Sequence, residues 1–164
     1  MNPRRVALIA AGVVILSDQV TKLLVVERLS DGPYVLIDGF LQLRLVRNPG
    51  AAFGLLPGAG SIIALVAVAA AVMIFLVAGR LERHPEAWAL GLVLGGAVGN
   101  LIDRVFRGPG LFDGKVVDFV DFDFFATFNV ADSAITVGAG LAVVLALLMP
   151  KAPSSGDDDG PKDA

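Results

Sequence analysis

Two aspartates of this chain have surroundings that suit acid–base chemistry. Asp118 lies in a run of valines, phenylalanines and aspartates, 115–124, and Asp132 lies where a long apolar segment begins. A carboxyl group held against apolar side chains favours its neutral form, and a second carboxylate nearby prevents both from ionising together. Such a pair can act as acid and base in one reaction. Asp118 and Asp132 are therefore candidates for a catalytic pair.

The same residues have simpler interpretations. Asp132 stands at a predicted helix start, where capping alone would explain it, and without further information capping is favoured. Asp118 shares its run with Asp121 and Asp123. In a regular strand it would face away from both, but the residues alone distinguish the three poorly.

Other hydrolytic arrangements are weaker. Ser133 activated by Lys22 is an alternative, but Asp18 lies one helical turn from that lysine and Ser133 suits a helix start. The only histidine, His84, falls in a short loop predicted on the opposite side of the membrane, which excludes a Ser/His/Asp triad. With no cysteine and one histidine, the chain lacks the residues for thiolate chemistry or a zinc cluster.

The composition indicates a protein of the bilayer. The 164 residues are 55% hydrophobic and only 18% charged, which is too apolar for a soluble domain of this length. Four stretches are long enough to span a membrane: 6–26, 62–79, 88–105 and 133–149. The first is interrupted by polar residues and no cleavage site follows, so it is predicted to be a retained span. The net charge of −3 gives no indication of a nucleic-acid partner.

The two longer connections are predicted to contribute strands. Leu41, Leu43 and Leu45 alternate with polar residues, which is typical of a half-buried strand. The run 115–124 suits a second strand on the same side of the membrane. The predicted fold is thus an all-α membrane protein with four transmembrane helices and a small extracytoplasmic β-rich element. A single domain occupies 1–150, and an acidic tail, 151–164, is predicted to be disordered.

The positions of arginine predict the orientation. Arg4 and Arg5 precede the first span, and Arg80 and Arg83 lie in the short loop between the second and third. Because cytoplasmic loops are enriched in Lys and Arg, both termini are predicted to be cytoplasmic. The outer loops also carry arginines, so this bias is slight.

Ionisable residues within spans point to a polar site. Such a residue costs about 2.5–3.5 kcal/mol at the bilayer centre on insertion scales. Asp18 and Lys22 lie four residues apart and predict an intramembrane ion pair. In the predicted topology, polar groups from five segments gather at the outer face. They are Lys22, Asn48, Asn100, Asp103, Arg104, Asp118 and Asp132.

Two other functional classes remain open from the residues alone. A small transporter or channel subunit would use the polar residues of spans one and three to line a path. That class predicts polar groups in both leaflets, whereas the second span is apolar throughout and the inner halves of the others carry no charge. A non-enzymatic assembly factor is the other alternative.

Five blocks together resemble the bacterial lipoprotein signal peptidases, also called signal peptidase II. The blocks are SDQVTK at 17–22, NPGAAF at 48–53, GNLIDR at 99–104, VVDF at 116–119 and FNVADS at 128–133. They follow one another in the family's order and cover nearly the whole chain except the tail. One departure is Ala126, where the family often has proline.

The resemblance implies a membrane aspartic endopeptidase that removes signal peptides from diacylglyceryl-modified prolipoproteins, cutting on the amino side of the lipidated cysteine. Asp118 and Asp132 match the family's catalytic positions. Six more residues match positions that shape the site or contact substrate: Asp18, Lys22, Asn48, Asn100, Arg104 and Asn129. The implied partners are the prolipoprotein substrates and membrane lipids, with no obligate protein partner and no metal or organic cofactor. The implied location is the bacterial cytoplasmic membrane, with the site near the outer leaflet.

Overall fold

The computed structural model describes residues 1–50, 60–78, 80–81 and 83–148. Four helices and three strands lie within these ranges. In chain order they are α1 (Pro3–Arg28), β1 (Tyr34–Ile37), β2 (Leu41–Asn48), α2 (Gly60–Ala78), α3 (His84–Phe106), β3 (Val116–Phe122) and α4 (Val130–Leu148). The predictions for the tail, for 51–53 and for the last residues of the second and fourth spans lie outside the described residues.

Three of the described helices, α1, α3 and α4, are long and apolar enough to cross a membrane. Helix α2 contains a shorter apolar segment, Ala67–Ala78. The helices extend beyond several of the predicted span bounds. Helix α1 begins at Pro3 because the side chain of Asn2 caps it, accepting a hydrogen bond from the backbone N–H of Arg4.

Helix α3 lies at the centre and packs against the other three helices. Small residues make this possible on two of its sides. A Cβ added at Gly95 would lie 2.8 Å from the carbonyl oxygen of Ala11 on α1, and one added at Gly96 would lie 2.7 Å from Cγ1 of Ile135 on α4. These glycines therefore allow a close helix approach on both sides of α3.

The two longer connections form one antiparallel sheet in the order β1-β2-β3. This confirms the two predicted strands. Strand β1 was not predicted, because its four residues show no alternation. Its signal was the Asp38–Gly39 pair that follows it, where Gly39 has a φ of +64° and the chain turns into β2.

The sheet rests on the end of α1 and guides the chain into α4. Val25 of α1 packs with Val117 and Phe119 of β3 in a buried apolar cluster. Beyond β3 the chain folds back, so that Phe128 pairs with Val120 through backbone hydrogen bonds in both directions. Phe128, two residues before the start of α4, therefore lies beside the strand that carries Asp118.

Candidate active site

Asp118 lies on β3 with only 1% of its surface exposed. Two asparagine amides donate to its carboxylate. Asn48, at the end of β2, donates from Nδ2 to Oδ2 at 2.9 Å, and Asn129, before α4, donates from Nδ2 to Oδ1 at 2.6 Å. Both oxygens of this buried carboxylate thus have a neutral donor.

Asp132 lies in the first turn of α4 and is half-buried. Its Oδ1 accepts from Nδ2 of Asn100 on α3 at 2.7 Å, and its Oδ2 accepts from the backbone N–H of Asn129 at 3.3 Å. In return, Oδ1 of Asn129 accepts from the backbone N–H of Asp132 at 2.9 Å. This reciprocal pair is a capping box in which Asn129 caps the helix. Asn129 and Asp132 therefore cap helix α4 and also belong to the candidate site.

Asn129 joins the two aspartates, because its side chain donates to Asp118 and its backbone donates to Asp132. Burial raises the pKa of Asp118 to about 6, against the lowering effect of the hydrogen bond from Asn48. The negative charge of Asp132 also raises the pKa of Asp118. At neutral pH a carboxyl of this kind exchanges its proton readily, as an acid–base group must.

A buried ion cluster lies behind the two aspartates. Lys22 is fully buried, and its ammonium contacts Oδ2 of Asp18 and Oδ2 of Asp103, each at 2.8 Å. The same ammonium donates to Oδ1 of Asn100 at 3.0 Å. Arg107 donates to the other oxygen of Asp103 at 2.6 Å. The predicted Asp18–Lys22 ion pair is confirmed.

Asp103 is the residue whose position was undervalued from the sequence. Asp103 is one of the polar residues that the sequence places at the outer face, but the resemblance does not include it among the site residues. In the structure it is fully buried and contacts Lys22 directly. The available signal was its position three residues after Asn100, because that spacing places both side chains on one face of a helix.

A cavity of 760 Å³ opens beside Asp132 between α2, α3 and α4. Its walls are mostly apolar, and Arg104 and Asn100 add polar groups. Arg104 is 6% exposed, and its Nη1 has no hydrogen-bond partner among the described residues. A buried donor without a partner is costly, so this guanidinium is placed to receive an acceptor from a bound molecule.

The other carboxylates of the β3 region have different surroundings. Asp121 pairs with Arg44 at 3.0 Å and accepts from Gln42 and Thr127, each at 2.7 Å. Burial would raise the pKa of Asp121, but these donors outweigh it and lower the pKa. Asp123 is exposed. Among the described contacts of these three aspartates, only those of Asp118 include Asn129, which also donates to Asp132.

The structure does not place Lys22 as a base for Ser133. The described contacts of the Lys22 ammonium are Asp18, Asp103 and Asn100. The hydroxyl of Ser133 instead donates to the backbone oxygen of Asn129 at 2.9 Å. In the part of the chain that the structure describes, no group of three or more His, Cys, Asp or Glu residues is arranged to hold a metal ion.

Comparison with known proteins identifies the family. A family profile described as signal peptidase (SPase) II matches residues 10–148. The lipoprotein signal peptidase of Rhodococcus jostii (strain RHA1) is 50% identical over 151 residues, covering 90% of this chain and 75% of that protein. The corresponding protein of Streptomyces griseus is 48% identical over 141 residues, covering 85% and 72%.

Solved structures agree with this assignment. A bacterial membrane enzyme determined by the in meso method at 2.3 Å resolution is 30% identical, with a TM-score of 0.75 and coverage of 86% of this chain and 87% of that one. A second, at 1.9 Å, is also 30% identical, with a TM-score of 0.73 and coverage of 88% and 94%. The chain therefore belongs to the signal peptidase II family and is a membrane-embedded aspartic peptidase.

Proposed function

We propose that this peptidase removes signal peptides from diacylglyceryl-modified prolipoproteins, cutting on the amino side of the lipidated cysteine, with Asp118 and Asp132 as its catalytic pair. The observation that supports this most is the shared donor. Asn129 donates to both carboxylates, at 2.6 Å to Asp118 and 3.3 Å to Asp132, beside an apolar cavity. The proposed reaction is also supported by the name of the two relatives, lipoprotein signal peptidase.

In the proposed reaction the pair shares one proton. The ionised aspartate takes a proton from a water molecule, whose oxygen then attacks the scissile carbonyl carbon. The protonated aspartate hydrogen-bonds the developing oxyanion. The roles then reverse, and a proton passes to the leaving amine while the carbon–nitrogen bond breaks. Because the proton belongs to the pair, the apparent pKa values of the reaction belong to both groups.

The neighbouring polar residues are proposed to hold this pair and its substrate. Asn48 and Asn100 each donate to one aspartate, at 2.9 and 2.7 Å, and so restrict the rotation of each carboxylate. Arg104 offers its Nη1, which has no hydrogen-bond partner in the described part of the chain, to a carbonyl oxygen of the extended substrate segment. Asp18 and Lys22, which belong to the buried ion cluster, are proposed to shape the site.

The cavity suits the apolar part of such a substrate. Ala67 and Ala70 of α2 line it on one side, and Val93 and Ala97 of α3 line it on another. A signal helix lying here would bring its scissile segment to the aspartates while the diacylglyceryl group stays in the lipid. Small side chains at the wall leave room for the incoming helix.

In the proposed arrangement four spans, one contributed by α2, cross the bacterial cytoplasmic membrane, and both termini are cytoplasmic. Residues 1–150 form one peptidase domain. The sheet and the aspartates then lie near the outer leaflet, where a substrate lipid attached at the membrane surface would place its cysteine.

The proposed specificity can be tested with purified protein in detergent. One synthetic prolipoprotein carries a diacylglyceryl cysteine, and a matched one carries the same cysteine without lipid. We expect cleavage of the lipidated form, with a product that mass spectrometry shows to begin at the modified cysteine. Equal cleavage of the two substrates, or a cut at another bond, would contradict the proposal.

A further inference from the structure

Two backbone contacts of the ion cluster lie immediately next to the proposed catalytic residues. Oδ1 of Asp18 accepts from the backbone N–H of Ala131 at 3.0 Å, and Ala131 precedes Asp132. Oδ2 of Asp103 accepts from the backbone N–H of Val117 at 3.1 Å, and Val117 precedes Asp118. Each non-catalytic carboxylate therefore holds the chain one residue before a catalytic carboxylate.

Lys22 joins these two contacts into one unit. Its ammonium lies 2.8 Å from Oδ2 of Asp18 and 2.8 Å from Oδ2 of Asp103. Lys22, Asp18 and Asp103 are all fully buried. Buried charges of this kind keep a fixed geometry, because any loss of contact leaves a charge without water or partner.

We propose that Asp18, Lys22 and Asp103 form a clamp that sets the distance and orientation between Asp118 and Asp132. The clamp residues are positioning residues, since they act on the catalytic pair through the backbone of β3 and α4. This inference rests on the proposed function of the two aspartates.

A pair serving only to neutralise charge would not explain these contacts. Lys22 and Asp18 lie one turn apart on α1 and could balance each other without touching any other element. Instead, each carboxylate uses an oxygen for a backbone N–H on a segment distant in sequence: Asp18 reaches α4, 113 residues away, and Asp103 reaches β3, 14 residues away. The clamp thereby ties α1 and α3 to the two segments that carry the catalytic groups.

A third contact extends the clamp to a side chain of the site. Lys22 donates to Oδ1 of Asn100 at 3.0 Å, which leaves Nδ2 of Asn100 facing Asp132. The amide of Asn100 thus presents a donor to Asp132 in a fixed orientation.

The test compares two double variants with equal charge. Asp18→Asn with Lys22→Met keeps an oxygen that can accept from the N–H of Ala131, whereas Asp18→Leu with Lys22→Met removes it. Replacing both members of a buried ion pair by neutral groups is tolerated better than removing one member. The two proteins differ chiefly in that single backbone contact.

We expect both variants to be slower than the parent, and the variant with leucine to be slower by a further factor of at least about ten in kcat, because misplacement by about 1 Å can cost about 10²-fold. KM for the diacylglyceryl prolipoprotein is expected to agree within about twofold between the two variants, since the substrate cavity is unchanged. Thermal unfolding in the same detergent confirms that each variant is folded.

The other side of the clamp gives an independent comparison, should the leucine variant fail to fold. Asp103→Asn and Asp103→Leu, each combined with Arg107→Gln, again differ in an acceptor, this time for Val117. The same difference in kcat is expected. Equal kcat values within every pair that folds would overturn the clamp.

The assay also separates the clamp from the function on which it rests. Asp118→Asn is measured beside the double variants. If it is inactive while the paired variants are equal, the clamp is wrong and the catalytic pair stands. If Asp118→Asn cleaves like the parent, the proposed function itself is wrong, and the clamp falls with it.

Discussion

Asp118 and Asp121 show how neighbours on one strand acquire different chemistry. Burial raises the pKa of Asp118 to about 6, and the hydrogen bonds from its two neutral amide donors lower the pKa too little to offset this. Asp121 is paired with the cationic Arg44 and has its pKa lowered, although burial acts in the opposite direction. The first residue is suited to exchange a proton near neutral pH, and the second is suited to stay charged and hold the sheet together.

The raised pKa of Asp118 predicts a pH dependence of stability. Its pKa is above the ordinary value of 3.8 in the folded protein, so the native state retains the proton that the unfolded chain has lost. The resulting stabilisation is fully present below about pH 4 and is lost as the pH rises through about 6, by up to about 2–3 kcal/mol.

Unfolding in mixed micelles at several pH values between 4 and 7 tests this. The free energy of unfolding of the parent is expected to fall relative to that of Asp118→Asn across this interval. Parallel curves for the two proteins would show that the carboxyl is not perturbed.

At the residue scale, the sequence predicted contacts between residues close in the chain better than contacts between residues far apart in it. Residues four apart on a helix must lie on one face, so Asp18 and Lys22 were paired correctly. The contact of Asp103 with the backbone of Val117 depends on how the chain returns after α3. No local spacing specifies that return, and the role of Asp103 was therefore missed.

At the scale of elements, the sheet brings segments distant in sequence into register. The alternation of leucines predicted β2, but it did not predict the register shift between Leu43 and Val46. That shift lies between the contacts of Asp121 with Gln42 and of Asp118 with Asn48. The pairing of strands depends on partner segments, which a pattern within one strand does not contain.

The α3–α4 contact gives a prediction about helix packing. A Cβ at Gly96 would lie against the carbonyl oxygen of Ala131 and 2.7 Å from Cγ1 of Ile135. Gly96→Ala is expected to push α4 away next to Asp132, to lower the free energy of unfolding by about 1–3 kcal/mol and to reduce kcat. Thermal unfolding in detergent and the cleavage assay measure the two effects.

Gly12→Ala is the matched control, because nothing lies within 4 Å of a Cβ at that position on α1. Replacing glycine by alanine in an open helix is expected to stabilise by up to about 1 kcal/mol. An effect of Gly96→Ala on the free energy of unfolding equal to that of the control would contradict the close packing of α3 and α4.

At the scale of the whole molecule, hydropathy predicted the helices and their order because apolar length is a property of the sequence itself. Helices α1, α3 and α4 have the predicted character of spans. The number of spans stays a prediction because the apolar segment described in α2, Ala67–Ala78, is shorter than the other three. The orientation stays a prediction because it depends on a slight arginine bias.

The absence of natural cysteine allows the orientation to be tested directly. Asp38→Cys marks the turn between β1 and β2, and His84→Cys marks the start of α3. A membrane-impermeant maleimide is expected to label the first variant in intact cells and the second only after lysis. Labelling of both in intact cells, or the reverse pattern, would contradict the predicted topology.

The convergence of polar residues from separate segments was predictable, but the arrangement of the catalytic pair was not. Residues at the same ends of spans must be near one another, whatever the packing. Asn129 was assigned only by resemblance, and its double contact depends on where α4 begins. The link between the two aspartates therefore required the structure.

Cleavage by aspartate variants tests the central claim most directly. Parent, Asp118→Asn, Asp132→Asn and the exposed Asp123→Asn are incubated in detergent with the diacylglyceryl prolipoprotein, and initial rates are compared. Asp118→Asn and Asp132→Asn are each expected to lose at least about 10³-fold in kcat, whereas Asp123→Asn should remain within about twofold of the parent. Cleavage at the parental rate by either of the first two variants would contradict the assignment of Asp118 and Asp132 as the catalytic pair.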